Sequence, residues 1–272
     1  MKRPLLYSVF FLVGVYMLIT LSGCNRNKTY SIKTETVKVE SLNQIVPLDD
    51  ALVKPLLYTN VSGLGRLPVP QAKTKFIAAV LPAILVAKHE IETLRIKMEI
   101  LHEKEYWNEK DSSFCVEVKR RYKAKDMEDL MMRIGTLPNS IVLAQAAVES
   151  GWGQSRFFLE GNNLFGVWSF NSNEPRIAAG KTRQSKRIYL RSYQHMSQSI
   201  VHYFEILGSA RPYRGLRQAR LEKSDPFELL PYLKNFSERR TSYTNQLKVV
   251  IIQNELTQYD QYQIDPEYFV KD

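Results

Sequence analysis

The stretch Leu137–Trp168, LPNSIVLAQAAVESGWGQSRFFLEGNNLFGVW, constrains the fold of this chain more than any other. Pro138 is a good first-turn residue, and the run through Ile141, Val142 and Leu143 predicts a helix that stops at Gly151. Ala144, Ala146 and Ala147 would let neighbouring helices approach closely. It ends on a carboxylate, Glu149, where the helix dipole disfavours negative charge. Val148 and Trp152 flank that carboxylate, and desolvation by them acts in the same direction. Both effects raise a carboxyl pKa, as a general acid working near neutral pH requires. An exposed terminal Glu with a near-normal pKa is the alternative.

Around this stretch the chain reads as mainly helical. Ile77, Leu81, Ile84, Ile91, Leu94, Met98 and Leu101 fall on one face, which predicts a helix from Lys75 to about Lys110, kinked or cut short at Pro82. Ser112–Pro138 predicts a second helix ending near Gly135, with Lys119–Lys125 as a basic face that is solvated or meets an anionic polymer. From Gly161 to Tyr193 the pattern changes. "NLFGVWSF" and "KRIYLRSY" read as the strands of a small hairpin or sheet. Helices follow over about Met196–Leu207, Tyr213–Arg220, Pro226–Leu233 and Ser242–Tyr259. The expected fold is therefore mainly α (α+β), one helical domain over 71–262 with an inserted β element and a short tail over 263–272.

The N-terminus reads as an export signal. Met1-Lys2-Arg3 is basic, Leu5–Leu21 is nearly all apolar, and Leu21-Ser22-Gly23 precedes Cys24. This arrangement resembles a bacterial lipoprotein signal over 1–23, with Cys24 lipidated and residues 24–70 a polar tether holding the domain off the membrane. An uncleaved signal anchor is the alternative, although the stretch is short for a span of about 20 residues. Asn25 after Cys24 favours the outer membrane, giving a lipid-anchored, periplasm-facing protein of the cell envelope. The formal charge of +10 suits an anionic partner, and removal of Lys2 and Arg3 leaves about +8. The export signal and the lack of a recognition motif argue against nucleic acid. With Cys24 lipidated, Cys115 has no partner and reads as a small buried apolar residue. His89 and His102 lack metal-ligand spacing, and neither a metal nor a cofactor is expected.

The segments LAQAA, ESGWG and NNLFG, in that order within Leu137–Trp168, resemble the bacterial glucosaminidase family of peptidoglycan hydrolases, closest to its Bax-type branch. The resemblance implies a lysozyme-like α lobe with a small β-hairpin lobe and a groove between them. It implies an endo-β-N-acetylglucosaminidase that cleaves the β-1,4 bond after N-acetylglucosamine in peptidoglycan glycan strands. Glu149 matches the family's general acid. Asn163, Phe165 and Gly166 match the segment that opens the β lobe and lines the groove. Trp152, Trp168 and Phe170 are aromatics that stack on sugar faces or pack the core. Tyr193 matches an aromatic at the end of the hairpin. Tyr243 resembles a tyrosine placed near the reacting sugar, where a phenol stabilises positive charge or holds the N-acetyl group.

One departure concerns the second catalytic group. Related enzymes carry a further Glu in the hairpin, whereas Pro175–Phe204 contains no Asp or Glu and six cations: Arg176, Lys181, Arg183, Lys186, Arg187 and Arg191. Inverting hydrolysis needs a second carboxylate about 6.5–9.5 Å from the first. Either Glu174, Glu160 or Glu238 supplies it, or the substrate's own N-acetyl group attacks with Tyr243 in support. The hairpin cations either meet substrate carboxylates or face solvent. A lytic transglycosylase and a non-catalytic peptidoglycan-binding protein are the competing readings.

Overall fold

The computed structural model describes residues 29–183 and 186–271. Its axis is a single helix, α1 (Val69–Glu103), about 50 Å long at 1.5 Å per residue. Every residue from Phe76 to Ala87 is buried, so this half of α1 is enclosed on all sides. Further along, burial narrows to one face carrying Ile91, Met98 and Leu101. Pro82 neither ends nor divides the helix. It lies wholly in the enclosed half, where packing from all sides offsets the one hydrogen bond it removes.

The second expected helix is two. α2 (Glu109–Tyr122) closes on Lys123 at φ 54°, and α3 (Met127–Arg133) starts from Asp126, whose side chain accepts from the Asp129 amide. Next come α4 (Asn139–Ser150), α5 (Arg156–Gly161), α6 (Met196–Ser209), α7 (Arg214–Glu222), α8 (Pro226–Leu229) and α9 (Thr241–Gln253). α4 and α6 pack on α1, and α9 packs on α4. A 3₁₀ turn, Leu256–Gln261, replaces the expected end of the last helix. The mainly helical α+β organisation holds.

The described part of the expected tether is folded into the body. β1 (Tyr30–Ile32) pairs antiparallel with β8 (Phe269–Lys271). β2 (Glu35–Lys38) runs parallel to β4 (Leu56–Thr59), and β3 (Leu52–Val53) runs parallel to β7 (Gln263–Ile264). Val39, Ile45, Val53, Leu57, Tyr58 and Leu64 join the core, and Lys75 ties the segment to α1 by donating to the Ile45 carbonyl at 2.8 Å. The expected tail, 263–272, is thus a pair of sheet partners as far as Lys271. Strands of two to four residues are too short to show period-2 alternation, and the partners of β1 and β3 lie more than 200 residues away. Cys24 and the rest of 1–28 lie outside the described residues.

The hairpin also differs from expectation. Its strands are β5 (Arg176–Arg183) and β6 (Lys186–Arg191), antiparallel with an irregularity between Ala178 and Thr182. "NLFGVWSF" is instead an irregular edge beside β6. Trp168 bridges Leu190, and the Arg191 amide donates to the Val167 carbonyl at 2.9 Å.

Candidate active site

Both ends of α4 are built by buried polar groups. At its start, the Ser140 amide and hydroxyl donate to the Asp260 carboxylate at 2.7 and 2.8 Å, and the Asn139 amide donates to the Tyr259 carbonyl. At its end, the Ser150 hydroxyl donates to the Ala146 carbonyl and accepts from the Gly153 amide at 2.9 Å. Gly151, Trp152 and Gly153 all have positive φ, at 60°, 57° and 78°. A side chain at Gly153 would meet Leu64, Phe158 and Phe76 at 3.0 Å or less. This turn leaves Glu149 half-buried on the last turn of the helix.

Beneath Glu149 lies a buried chain of polar groups. The Tyr203 hydroxyl donates to the Gln145 carbonyl oxygen, and the Gln145 amide nitrogen donates to the Tyr243 oxygen at 2.9 Å. The Tyr243 oxygen is thus already an acceptor, and its own proton goes to the Glu149 carboxyl. Phe236 stacks on Tyr243 at 5.9 Å and 9°, and also packs edge-on to Tyr203. Burial raises the Glu149 pKa, while the Tyr243 hydrogen bond and the Arg239 cation partly offset it. Burial and then the Glu149 charge push Tyr243 far above its ordinary value, so it stays a neutral donor.

Tyr243 is 0% exposed and lies in the core beside Glu149 and Gln145. Gln145, Tyr203 and Arg239 went unrecognised in the sequence. For Gln145 a signal was present: an amide one turn before Glu149, amid buried alanines, must find partners.

An aromatic cavity of about 380 Å³ borders this cluster, lined by Phe165, Trp168, Phe170, His202, Tyr213 and Phe236, among others. It adjoins Glu149 through Tyr203 and Tyr213: burial and then the Glu149 charge push Tyr213 up to about 12, while burial, then Tyr213 and then Glu149 hold Tyr203 well above its ordinary value. Phe165 lies flat on Tyr203 at 4.3 Å. Trp168 and Phe170 stand exposed at the rim, 6.1 Å apart.

Four other expected substrate contacts, Asn163, Gly166, Trp152 and Tyr193, make contacts within the fold. Asn163 is buried and latches the β lobe: its amide donates to the Val167 and Arg191 carbonyls, and its oxygen accepts from the Val167 amide. Gly166, at φ 65°, makes that latch turn possible. Trp152 packs edge-on against Phe76 at 5.5 Å, with Lys73 over its ring. Tyr193 is half-buried, with its hydroxyl 2.8 Å from Nδ1 of His202. Burial and then Arg191 lower His202 to about 4, so its ring is neutral near pH 7.

The candidates for a second carboxylate are engaged elsewhere or exposed. Glu174 is paired with Arg191 at 2.7 Å, and its other oxygen has no hydrogen-bond partner among the described residues. Glu160 is paired with Arg156 at 3.3 Å, and Glu238 is exposed. No carboxylate is among the groups that shift the Glu149 proton. Arg191 is committed to Glu174, and Arg176 lies over the Tyr189 ring at 4.0 Å, which accounts for two hairpin cations within the hairpin itself.

Comparison with known proteins agrees with the motif. The chain is similar to the protein bax of Escherichia coli strain K12, 26% identical over 189 residues, covering 64% of this chain and 67% of bax. Among solved structures, it is similar to the catalytic domain of the autolysin Auto from Listeria monocytogenes (TM-score 0.39, 19% identity, 59% of this chain and 93% of that one). It is also similar to a peptidoglycan hydrolase from Sphingomonas sp. A1 (TM-score 0.37, 22% identity, 53% and 90%). A family model described as mannosyl-glycoprotein endo-beta-N-acetylglucosaminidase matches residues 124–268, over half of the chain and all of α4 to β7. The chain belongs to this glucosaminidase family and is a glycoside hydrolase.

Proposed function

We propose that the chain is a peptidoglycan hydrolase, an endo-β-N-acetylglucosaminidase that cleaves the β-1,4 bond after N-acetylglucosamine with Glu149 as general acid. The observation that carries this reading is the half-buried Glu149 beside an aromatic cavity, its pKa raised by burial and its carboxyl engaged from below by Tyr243. The engaged oxygen accepts a hydrogen bond, so the acidic proton sits on the other one, free to reach the glycosidic oxygen. When the proton leaves, Tyr243 and Arg239 stabilise the carboxylate that remains. Trp168 and Phe170 supply exposed faces on which sugar rings can stack. With Glu174 held by Arg191, the substrate's acetamido oxygen is the preferred nucleophile.

The test is digestion of purified sacculi with identification of the new ends. Reducing N-acetylglucosamine ends support the reading. Intact glycan, or undiminished activity in Glu149→Gln, overturns it. A lytic transglycosylase also needs only one carboxylate, and anhydro-sugar products would decide for it. The same reading places the chain in the cell envelope, anchored through lipidated Cys24 and favouring the outer membrane. Mass spectrometry of the mature N-terminus tests this, and an unmodified Cys24 would refute the anchor.

A further inference from the structure

A second cleft, of about 490 Å³, is lined by six cations: Lys123, Lys125, Arg133, Arg211, Arg214 and Arg217. Three acids, Asp126, Glu128 and Asp129, share it, leaving three positive charges in excess. Its floor is rigid. Arg133 donates to the carbonyls of Tyr122, Gly208 and Ser209 and pairs with Asp129 at 2.9 Å. Arg217 is 4% exposed and donates to the Leu207 and Ala210 carbonyls. These two guanidiniums cap helix ends, and their charge is largely used there. Two of the acids are also engaged: Asp129 by Arg133, and Asp126 by its own helix start and Lys125.

The rim is different. Arg211 and Arg214 are exposed and have neither an ion pair nor a side-chain hydrogen bond among the described residues. Between them in sequence stands Tyr213, which faces the other way, into the aromatic cavity beside Glu149. One short turn, Arg211–Tyr213, thus separates the sugar-binding cavity from a pair of uncommitted guanidiniums. A guanidinium presents paired donors that match a carboxylate.

We propose that this cleft is an anion site for carboxylates of the peptides carried by the glycan strand bound in the groove, so that peptide-bearing strands are recognised over bare ones. This rests on the peptidoglycan reading above. The assignment differs from the hairpin cations considered in the sequence, because it is assembled from the α2–α3 junction, the end of α6 and the start of α7.

The test is equilibrium binding by the full chain carrying Glu149→Gln, which keeps ligands intact. The probes are soluble glycan fragments with their peptides and the same fragments with peptides removed. Peptide-bearing fragments should bind about tenfold more tightly, and added salt should shrink the gap. Arg211→Gln with Arg214→Gln should erase the gap and leave binding of stripped fragments unchanged, with an unaltered melting temperature. Arg214→Glu should reverse the preference. Equal binding of the two fragments, or equal weakening of both by the double substitution, overturns the proposal. Retention on anionic phospholipid vesicles without discrimination between the fragments also overturns it, in favour of a membrane surface. Failure of the wild-type chain to cleave either glycan, with discrimination intact, counts against the hydrolase reading alone.

Discussion

Two carboxylates hold the two ends of α4. Asp260 meets its N-terminus and Glu149 stands on its last turn, and burial raises the pKa of both. Their surroundings then part. Asp260 accepts from the Ser140 amide and hydroxyl, faces the favourable end of the dipole, and has the Lys88 cation nearby. Glu149 has the Tyr243 hydroxyl, the more distant Arg239 and the unfavourable end of the dipole. The first carboxylate is saturated with donors and fastens the helix. The second has fewer donors, and burial raises its pKa against a single hydroxyl and a more distant cation. Burial raises both pKa values, so what distinguishes the two carboxyls is the number of donors aimed at each.

The strongest break in this comparison is Glu149→Gln. Activity on sacculi should fall by about 10²–10⁴. Stability should change in the opposite sense. The folded chain holds the Glu149 proton more tightly than the unfolded chain, whose value is near 4.5. Its contribution to stability is complete below the unfolded pKa and is lost as pH rises through the folded one. The variant escapes that loss, so its melting temperature should gain on the wild type from acidic to neutral pH. A gap that stays constant with pH would show that burial does not hold the proton.

Asp260→Ala should do the reverse. It strips two hydrogen bonds from the start of α4 and the counter-charge from Lys88, whose own pKa is lowered by burial. The expected cost is about 2–3 kcal/mol, read by denaturant titration. Activity per folded molecule should be unchanged. A specific loss of activity without loss of stability would place Asp260 in the chemistry and erase the contrast.

Much of the Glu149 end was legible because its signals are local: alanines for close packing, an acid on the last turn, and glycines that turn the chain. The Asp260 end was not, because Asp260 and Ser140 lie 120 residues apart and neither carries a motif. The same limit hid β1, β3, β7 and β8, whose pairings join the two ends of the described chain. Asn163 was picked out through the family motif, but its type and spacing do not reveal whether an amide faces a sugar or a backbone carbonyl. Here it faces backbone carbonyls, and the Asn163-to-Val167 turn that it closes sets the cavity wall.

Tyr243→Phe tests the one donor that Glu149 does have. Removing the hydroxyl takes away a hydrogen bond that lowers the Glu149 pKa, so that pKa should rise further. A general acid works while protonated, so the alkaline limb of the pH–rate profile should move to higher pH. The maximum rate should still fall, by roughly tenfold, because the proton loses its fixed position and the resulting carboxylate loses its donor. The Gln145 amide is left without its acceptor, at a cost of about 1–2 kcal/mol. A lower rate with an unmoved alkaline limb would reduce Tyr243 to packing.

Arg239→Gln should have the smallest effect. Arg239 is exposed, 5.6 Å from the Tyr243 ring, and donates to Gln246 at 2.7 Å, so its charge reaches Glu149 partly through solvent. Its cation lowers the Glu149 pKa. The substitution should therefore shift the alkaline limb in the same direction as Tyr243→Phe but by less. Salt separates the two cases. Ions screen an exposed charge over about 10 Å at 0.1 M, while a buried hydrogen bond is untouched by them. Raising the salt should close the gap between Arg239→Gln and wild type and leave the Tyr243→Phe shift in place. If salt closes both gaps, the Tyr243 hydroxyl does not reach the carboxyl, and Glu149 is held high by burial alone.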